Sequence, residues 1–189
     1  MALLTLLRST RVPSKSEYPA IKTALTDICA TLSEDIVRNG EGTSHVIAVS
    51  IKNYPGSDPN AVGKKIVNSP LLKTAIAGND PNIGRLASAI GSYMGKHESG
   101  LEGWRDKLVI TVGNEVVFKN GSFVIEAGME EKLSDYIKEC QFGESTNYPE
   151  TDKSVEIVVD FGVEGGKSGK VFGSDLTKEY VKVNADYRS

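Results

Sequence analysis

The fold is decided by residues 39–85, which read NGEGTSHVIAVSIKNYPGSDPNAVGKKIVNSPLLKTAIAGNDPNIGR. Within them, apolar Ile47, Val49 and Ile51 recur at every second residue, so residues 45–54 are predicted to form a strand. Three polar residues followed by proline come next, at Asp58-Pro59, Ser69-Pro70 and Asp80-Pro81. Each pair predicts a helix start, because Asp or Ser caps free amides and proline fits the first turn. The three helices are expected to end at Val67, before Gly78 and near Gly95.

The segments on either side of this stretch also mix helices and strands. Upstream, residues 16–38 predict an amphipathic helix, whose apolar face would contain Ile21, Leu25, Ile28, Leu32 and Ile36. Downstream, we expect a hairpin around Gly113-Asn114, a helix over residues 127–140, a strand over residues 155–161, and a strand, a turn and another strand over residues 170–183. Regular alternation of strand and helix is absent. The pattern therefore predicts an α+β fold, a layered α/β sandwich with a largely antiparallel sheet.

Composition excludes several classes of partner. The chain has 189 residues, of which 39% are hydrophobic and 25% are charged, with a net charge of −3. A mixed, slightly acidic chain argues against nucleic acid or an anionic membrane as the main partner. Cys29 and Cys140 both fall in helical patterns and are expected to be buried thiols. His45 and His97 lie in no metal-ligand spacing, so we expect neither a metal site nor a Ser/His/Asp triad.

Two glycine-rich segments are candidate ligand loops. In Gly40-Glu41-Gly42 the flexible backbone would let the carboxylate hold a substrate ammonium or act as a general base. The simpler interpretation is a helix stop with a solvated glutamate. Residues 162–169 superficially resemble a phosphate loop, but Phe161 stands where the first glycine of that motif belongs. A hairpin turn is the better interpretation of this second segment.

Three further features have two interpretations each. Lys73 and Arg85 lie in first helical turns, where the helix dipole disfavours cations, so each is expected to contact an anionic ligand or a nearby acid. Residues 1–15 contain Leu-rich sequence with Arg8 and Arg11, which predicts a buried strand or, alternatively, a transit peptide. The polar C-terminal residues 184–189 would ordinarily fray.

Residues 39–44, 68–75, 78–85 and 184–189 together resemble the ornithine acetyltransferase (glutamate N-acetyltransferase) family. The resemblance extends over residues 16–189, which we take as one domain preceded by a strand-like segment, residues 1–15. It implies that acetyl moves from N-acetylornithine to glutamate through a threonine acyl-enzyme in arginine biosynthesis. It also implies that Glu41, Asn184 and Ser189 bind the amino-acid substrate.

Several positions depart from the family pattern. The family usually has Asp where Asn39 stands, Lys where His45 stands and Trp where Ile83 stands. Its nucleophilic threonine belongs to a motif that we expect upstream of this chain, since Thr5 and Thr10 lack the surrounding residues. We therefore expect no catalytic residue here, no activity from the chain alone, and assembly with an N-terminal fragment of the same enzyme in a higher oligomer.

Other functions remain alternatives to this enzyme. The first is a non-catalytic amino-acid-binding or assembly module derived from the family, and the second is a related self-processing amidohydrolase or aminopeptidase. No bound cofactor is expected, although acetyl-CoA is a possible co-substrate. The expected compartment is the cytoplasm or, alternatively, the mitochondrial matrix, because residues 1–12 lack the length and cleavage site of a secretory signal.

Overall fold

A computed structural model describes residues 12–98, 103–124, 126–142 and 153–186. The chain separates into two compact units, Met1–Val37 and Arg38–Ser189. The elements, in chain order, are α1 (Tyr18–Arg38), β1 (Val46–Tyr54), α2 (Pro59–Val67), α3 (Pro70–Ala77), α4 (Ile83–His97), α5 (Trp104–Lys107), β2 (Val109–Val112), β3 (Glu115–Lys119), β4 (Ser122–Phe123), α6 (Met129–Glu139), β5 (Val155–Asp160), β6 (Lys167–Ser174) and α7 (Lys178–Ala185). No helix in the described part of the chain is long and apolar enough to cross a membrane.

The six strands form one sheet in the order β4-β3-β2-β5-β1-β6. Only β1 and β5 pair in parallel, with Ile47 opposite Val155, and the other pairings are antiparallel. In β5 buried and half-buried residues alternate, as expected for a sheet with one face against a core. The expected α+β fold with a largely antiparallel sheet is confirmed.

The core of the second unit lies between one face of this sheet and four helices. Its fully buried members include Ile51, Ile110 and Ile157 from the strands and Ile66 and Leu86 from the helices. The helix α6 contributes the apolar stripe that its sequence predicts, formed by Met129, Leu133, Ile137 and, just past its end, Cys140. Helical spacing of three and four residues therefore identified the packed face of α6 correctly.

Helix caps define the start of α2 and α3 as predicted. The Asp58 side chain accepts hydrogen bonds from two amides of α2, and Ser69 caps α3. The predicted start of α4 at Asp80-Pro81 is wrong. The amide oxygen of Asn82 accepts from the Arg85 N–H at 3.2 Å, so Asn82 is the cap and the helix begins at Ile83.

Two predictions for the C-terminal third are also wrong. Residues 162–168 do not form a hairpin turn, because β5 and β6 pair with opposite edges of β1 rather than with each other. The last predicted strand is the helix α7. Thr177 caps it by accepting from the Tyr180 N–H at 3.0 Å, and this cap starts a helix within the residues predicted to form a strand.

The first unit contains the predicted helix α1, but none of its residues is buried. Leu25, Leu32 and Ile36 are exposed, although their spacing predicts a packed face. Periodicity predicts a helix and its apolar side, but burial requires a second surface, which sequence spacing does not supply. Cys29 in this helix is exposed, so its predicted burial is wrong, whereas Cys140 is buried. The strand predicted within residues 1–15 lies mostly outside the described residues.

Candidate functional site

A cleft opens at the end of the sheet where β1 and β5 begin and β6 ends. The strand register places these three strand ends side by side, because Val46 pairs with Ser174 and Ile47 pairs with Val155. The cleft has a volume of about 860 Å³ and is lined by residues 42–44, the C-terminal end of α3, residues 141–142 and residues 176–179. Its volume is within the range of small-molecule sites, about 300–1,000 Å³.

The turn that carries Glu41 contacts the first turn of α7. Gly42 has a positive φ of 67°, and a Cβ there would lie 2.5 Å from the backbone nitrogen of Tyr180. Only glycine therefore fits at this point of contact. The Thr177 hydroxyl donates to the Gly42 carbonyl while it also caps α7. One threonine thus connects the turn to the helix start.

A buried carboxylate lies directly behind this turn. Asp175 is 3% exposed and His45 is fully buried. The two oxygens of Asp175 accept from the Ser44 N–H at 3.1 Å, from the Ser44 hydroxyl, and from Nδ1 of His45 at 3.0 Å. Charged groups are rarely buried unless they are paired and hydrogen-bonded, and this carboxylate satisfies that requirement.

The same network extends to two other walls of the cleft. Nε2 of His45 lies 3.1 Å from the amide oxygen of Asn79, which follows α3. Asn79 in turn donates to Gln141 at 3.4 Å, and the Phe142 N–H donates to the Ser44 carbonyl at 2.9 Å. The cleft is therefore built on a connected set of polar side chains rather than on independent loops.

Ser44, His45 and Asp175 are not arranged as a nucleophilic triad. Such a triad needs serine on one ring nitrogen of histidine and the carboxylate on the other. Here the Ser44 hydroxyl lies 3.0 Å from Nδ1, the same nitrogen that faces Asp175. The arrangement suits structural support of the turn. Among the described residues, no group of three or more His, Cys, Asp and Glu side chains could hold a metal ion.

The substrate-binding residues suggested by the resemblance lie on two neighbouring elements. Glu41 is exposed in the turn that contacts α7. Asn184 lies about two helical turns beyond Thr177, near the end of α7. Its side chain is exposed and donates to the Tyr180 carbonyl at 2.9 Å. Ser189 lies outside the described residues.

The two suggested anion contacts differ in their surroundings. A guanidinium nitrogen of Arg85 donates to the Leu71 carbonyl at 2.9 Å and to the Thr74 hydroxyl at 3.5 Å, so Arg85 contacts the neighbouring helix α3. Lys73 is half-buried, and its backbone carbonyl accepts from the Leu176 N–H at 3.3 Å. The backbone of Lys73 therefore lies beside the segment that leads into α7.

Sequence reasoning missed the polar network of Asp175, Ser44, Asn79 and Gln141. These residues are far apart in the chain and form no motif. The one signal was His45, a polar residue at the beginning of a buried strand, where an unpaired side chain would be costly. That position predicts a partner for His45 but does not identify it.

The fold and the cleft define an α+β domain in which a helix start and the glycine that follows an exposed glutamate line a pocket of small-molecule size. The model of the ArgJ family matches residues 2–189, and the chain belongs to that family. The crystal structure of the arginine biosynthesis bifunctional protein ArgJ from Bacillus halodurans superposes with a TM-score of 0.72 and 32% identity. It matches 97% of this chain and 76% of that chain.

Curated relatives agree with this assignment. The arginine biosynthesis bifunctional protein ArgJ of Wolinella succinogenes is 33% identical over 97% of this chain and 42% of its own length. The protein of the same name from Bacillus subtilis is 32% identical over 92% of this chain and 37% of its own length. The chain therefore spans about two fifths of the length of the curated relatives that it matches.

Proposed function

We propose that this chain supplies the amino-acid-binding part of a glutamate/ornithine N-acetyltransferase of arginine biosynthesis. In the proposed reaction a threonine hydroxyl attacks the acetyl carbonyl of N-acetylornithine, forming an ester while the amide bond breaks and ornithine leaves. The amino group of glutamate then attacks the ester, which gives N-acetylglutamate and regenerates the threonine. Membership of the ArgJ family supports the reaction class.

The nucleophilic threonine is proposed to come from an N-terminal fragment of the same enzyme, which would assemble with this chain in a higher oligomer. No residue of the described cleft is proposed as a nucleophile. No bound cofactor is proposed either, although acetyl-CoA would serve as an alternative acetyl donor. We place the reaction in the cytoplasm or, in a eukaryotic host, the mitochondrial matrix.

The observation that carries the proposal is the position of the Glu41 turn. The glutamate is exposed next to Gly42, which lines the cleft and contacts the start of α7. A carboxylate at this position is suited to accept hydrogen bonds from the ammonium group of ornithine or glutamate. Asn184 and the C-terminal Ser189 are proposed to contribute further contacts to the amino-acid portion of the substrate.

The test is acetyl transfer from N-acetylornithine to glutamate, followed by mass spectrometry. The purified chain is assayed alone and with the N-terminal part of the Wolinella succinogenes relative. We expect product only in the mixture. In that mixture Glu41→Gln should lower kcat/KM by about 10- to 100-fold, as is typical when a charged contact to substrate is lost.

Glu164→Gln is the matched control, because Glu164 is also an exposed glutamate followed by a positive-φ glycine, but that glycine, Gly165, does not line the cleft as Gly42 does. It should leave kcat/KM unchanged. Amino-acid binding without turnover in any mixture would favour the binding module instead. Turnover by the chain alone would contradict the assignment of the nucleophile to another fragment.

A further inference from the structure

The Asp175 carboxylate is buried at the point where three segments of the cleft wall meet. Its side chain is fully buried, and it accepts from two groups of Ser44 and from Nδ1 of His45. Ser44 lines the cleft, whereas His45 lies behind it and is fully buried. Asp175 is therefore bonded to the cleft wall without contributing to its surface.

Two further hydrogen bonds run in the opposite direction, from residues 175–177 to carbonyls of residues 42–45. The Asp175 N–H donates to the His45 carbonyl at 3.1 Å, and two residues later the Thr177 hydroxyl donates to the Gly42 carbonyl. The segments 42–45 and 175–177 are thus joined at both ends. A displacement of the Glu41 turn would leave the buried carboxylate of Asp175 without its donors, which is costly.

His45 extends the connection to the third segment. Its Nδ1 lies 3.0 Å from Asp175 and its Nε2 lies 3.1 Å from the amide oxygen of Asn79, and Asn79 donates to Gln141. Ser134 also donates to the Asn79 carbonyl at 2.9 Å, which connects that residue to α6. The imidazole therefore spans the space between Asp175 and the turn after α3.

We propose that Asp175 is a positioning residue, which acts through Ser44 and His45 to hold the Glu41 turn in its substrate-binding position. This inference rests on the proposed function, since it assigns a role to the same cleft. It gives Asp175 no contact with substrate and no part in proton transfer. Its effect is on the geometry of Glu41, which a well-supported site must maintain within a fraction of an ångström.

The test combines a binding measurement with a local one. Binding of N-acetylornithine and of glutamate to the purified chain is measured by calorimetry, and exchange of the Ser44 amide is measured by NMR. Asp175→Asn is expected to weaken binding about tenfold, as for the loss of one or two hydrogen bonds, and to accelerate Ser44 exchange about tenfold. His45→Leu should also weaken binding and accelerate Ser44 exchange. His45→Lys keeps a donor, so its binding and its Ser44 exchange should stay close to those of the wild type.

Asp160→Asn is the matched control. Asp160 likewise accepts from a side chain and from a backbone N–H, namely Asn53 at 2.8 Å and Gly162 at 2.9 Å, but lies at the opposite end of β5. It should leave amino-acid affinity and Ser44 exchange unchanged. Ser44→Ala removes the hydroxyl, with its bond to Asp175 and its contact to Nδ1 of His45, but keeps the Ser44 amide, and provides a second variant if Asp175→Asn does not fold. Ser44→Ala should weaken binding about threefold, and unchanged binding would contradict the proposal.

The two proposals fail in different ways. If the wild-type chain binds neither amino acid, the proposed function is wrong, but the exchange rate of Ser44 still decides the positioning role. Unchanged Ser44 exchange in Asp175→Asn would overturn the positioning role whatever the affinity. Equal losses in His45→Lys and His45→Leu would overturn the part assigned to His45.

Discussion

Tyr136 shows how a single side chain connects a helix to the central part of the sheet. From α6 its hydroxyl donates to the Ser154 carbonyl at 3.3 Å and accepts from the Glu156 N–H at 2.9 Å. Burial raises the pKa of Tyr136 to about 12, against an ordinary value of 10.0. The Glu156 N–H opposes this shift because it favours the ionised oxygen. Burial likewise raises the pKa of Tyr54, together with a hydrogen bond to Glu98.

We predict that the free energy of unfolding decreases as pH rises from 10.0 to about 12. As pH rises, Tyr136 loses its proton in the unfolded chain before it does so in the folded protein. The stability that protonated Tyr136 contributes is therefore fully present below pH 10.0 and is lost as pH rises through about 12. Urea denaturation at a series of pH values measures this change. Tyr136→Phe should reduce the slope and should cost about 1 kcal/mol at pH 8, because the Glu156 N–H loses its acceptor.

Tyr18→Phe is the control for this measurement, since it removes the same atom from an exposed position on α1. It should leave stability at pH 8 unchanged. An identical pH slope in the wild type and in Tyr136→Phe would show that Tyr136 does not contribute to the alkaline loss of stability.

At the scale of elements, α7 depends on one side chain for both its start and its contact with the Glu41 turn. The Thr177 hydroxyl caps α7 by accepting from the Tyr180 N–H, and it donates to the Gly42 carbonyl. Ser69 caps α3 through one longer bond, 3.5 Å, to the Leu72 N–H. The two caps are chemically similar, but only Thr177 also contacts another segment. The difference between them isolates the contribution of that second bond.

We predict that Thr177→Ala destabilises the protein by about 1–2 kcal/mol, whereas Ser69→Ala costs about 0.5 kcal/mol. Thr177→Ala should also accelerate amide exchange in the first turn of α7, and Thr177→Ser should retain both bonds. Thermal unfolding and hydrogen exchange measure these effects. Equal losses in Thr177→Ala and Ser69→Ala would show that the bond to Gly42 contributes nothing to stability.

At the scale of the whole molecule, the second unit contains the entire buried core that the structure describes. The buried hydrophobic residues that the structure describes fall between Val46 and Phe161, and the six described strands lie within residues 46–174. A unit of this size with a continuous apolar core generally folds independently.

We therefore predict that residues 38–189 expressed alone fold and unfold in one cooperative transition. Circular dichroism during thermal unfolding measures this, and the full chain is the reference. Ile157→Ala in the same segment should lower its stability by about 2–5 kcal/mol, since it removes a buried side chain from a central strand. A non-cooperative transition of residues 38–189 would contradict the independence of the second unit.

Local chemistry in the sequence predicted most elements. Periodicity identified α1 and α6, the Gly113-Asn114 pair identified the β2–β3 hairpin, and Asp58 and Ser69 with their prolines identified the starts of α2 and α3. Errors occurred where two local signals competed. Asn82 caps α4 in place of Asp80, and Thr177 caps a helix where a strand is predicted.

The sequence by itself determined most of the helices and strands, the fold class and the turn that presents Glu41, because each depends on residues close together in the chain. The tertiary structure alone decided that β5 and β6 lie on opposite sides of β1, and that Ser44, His45, Asn79 and Asp175 meet behind the cleft. Ser44 and Asp175 are 131 residues apart in the chain, so their contact could not be predicted from neighbouring residues. Strand order and buried hydrogen bonds join distant segments, and no local propensity specifies which polar side chain will satisfy another.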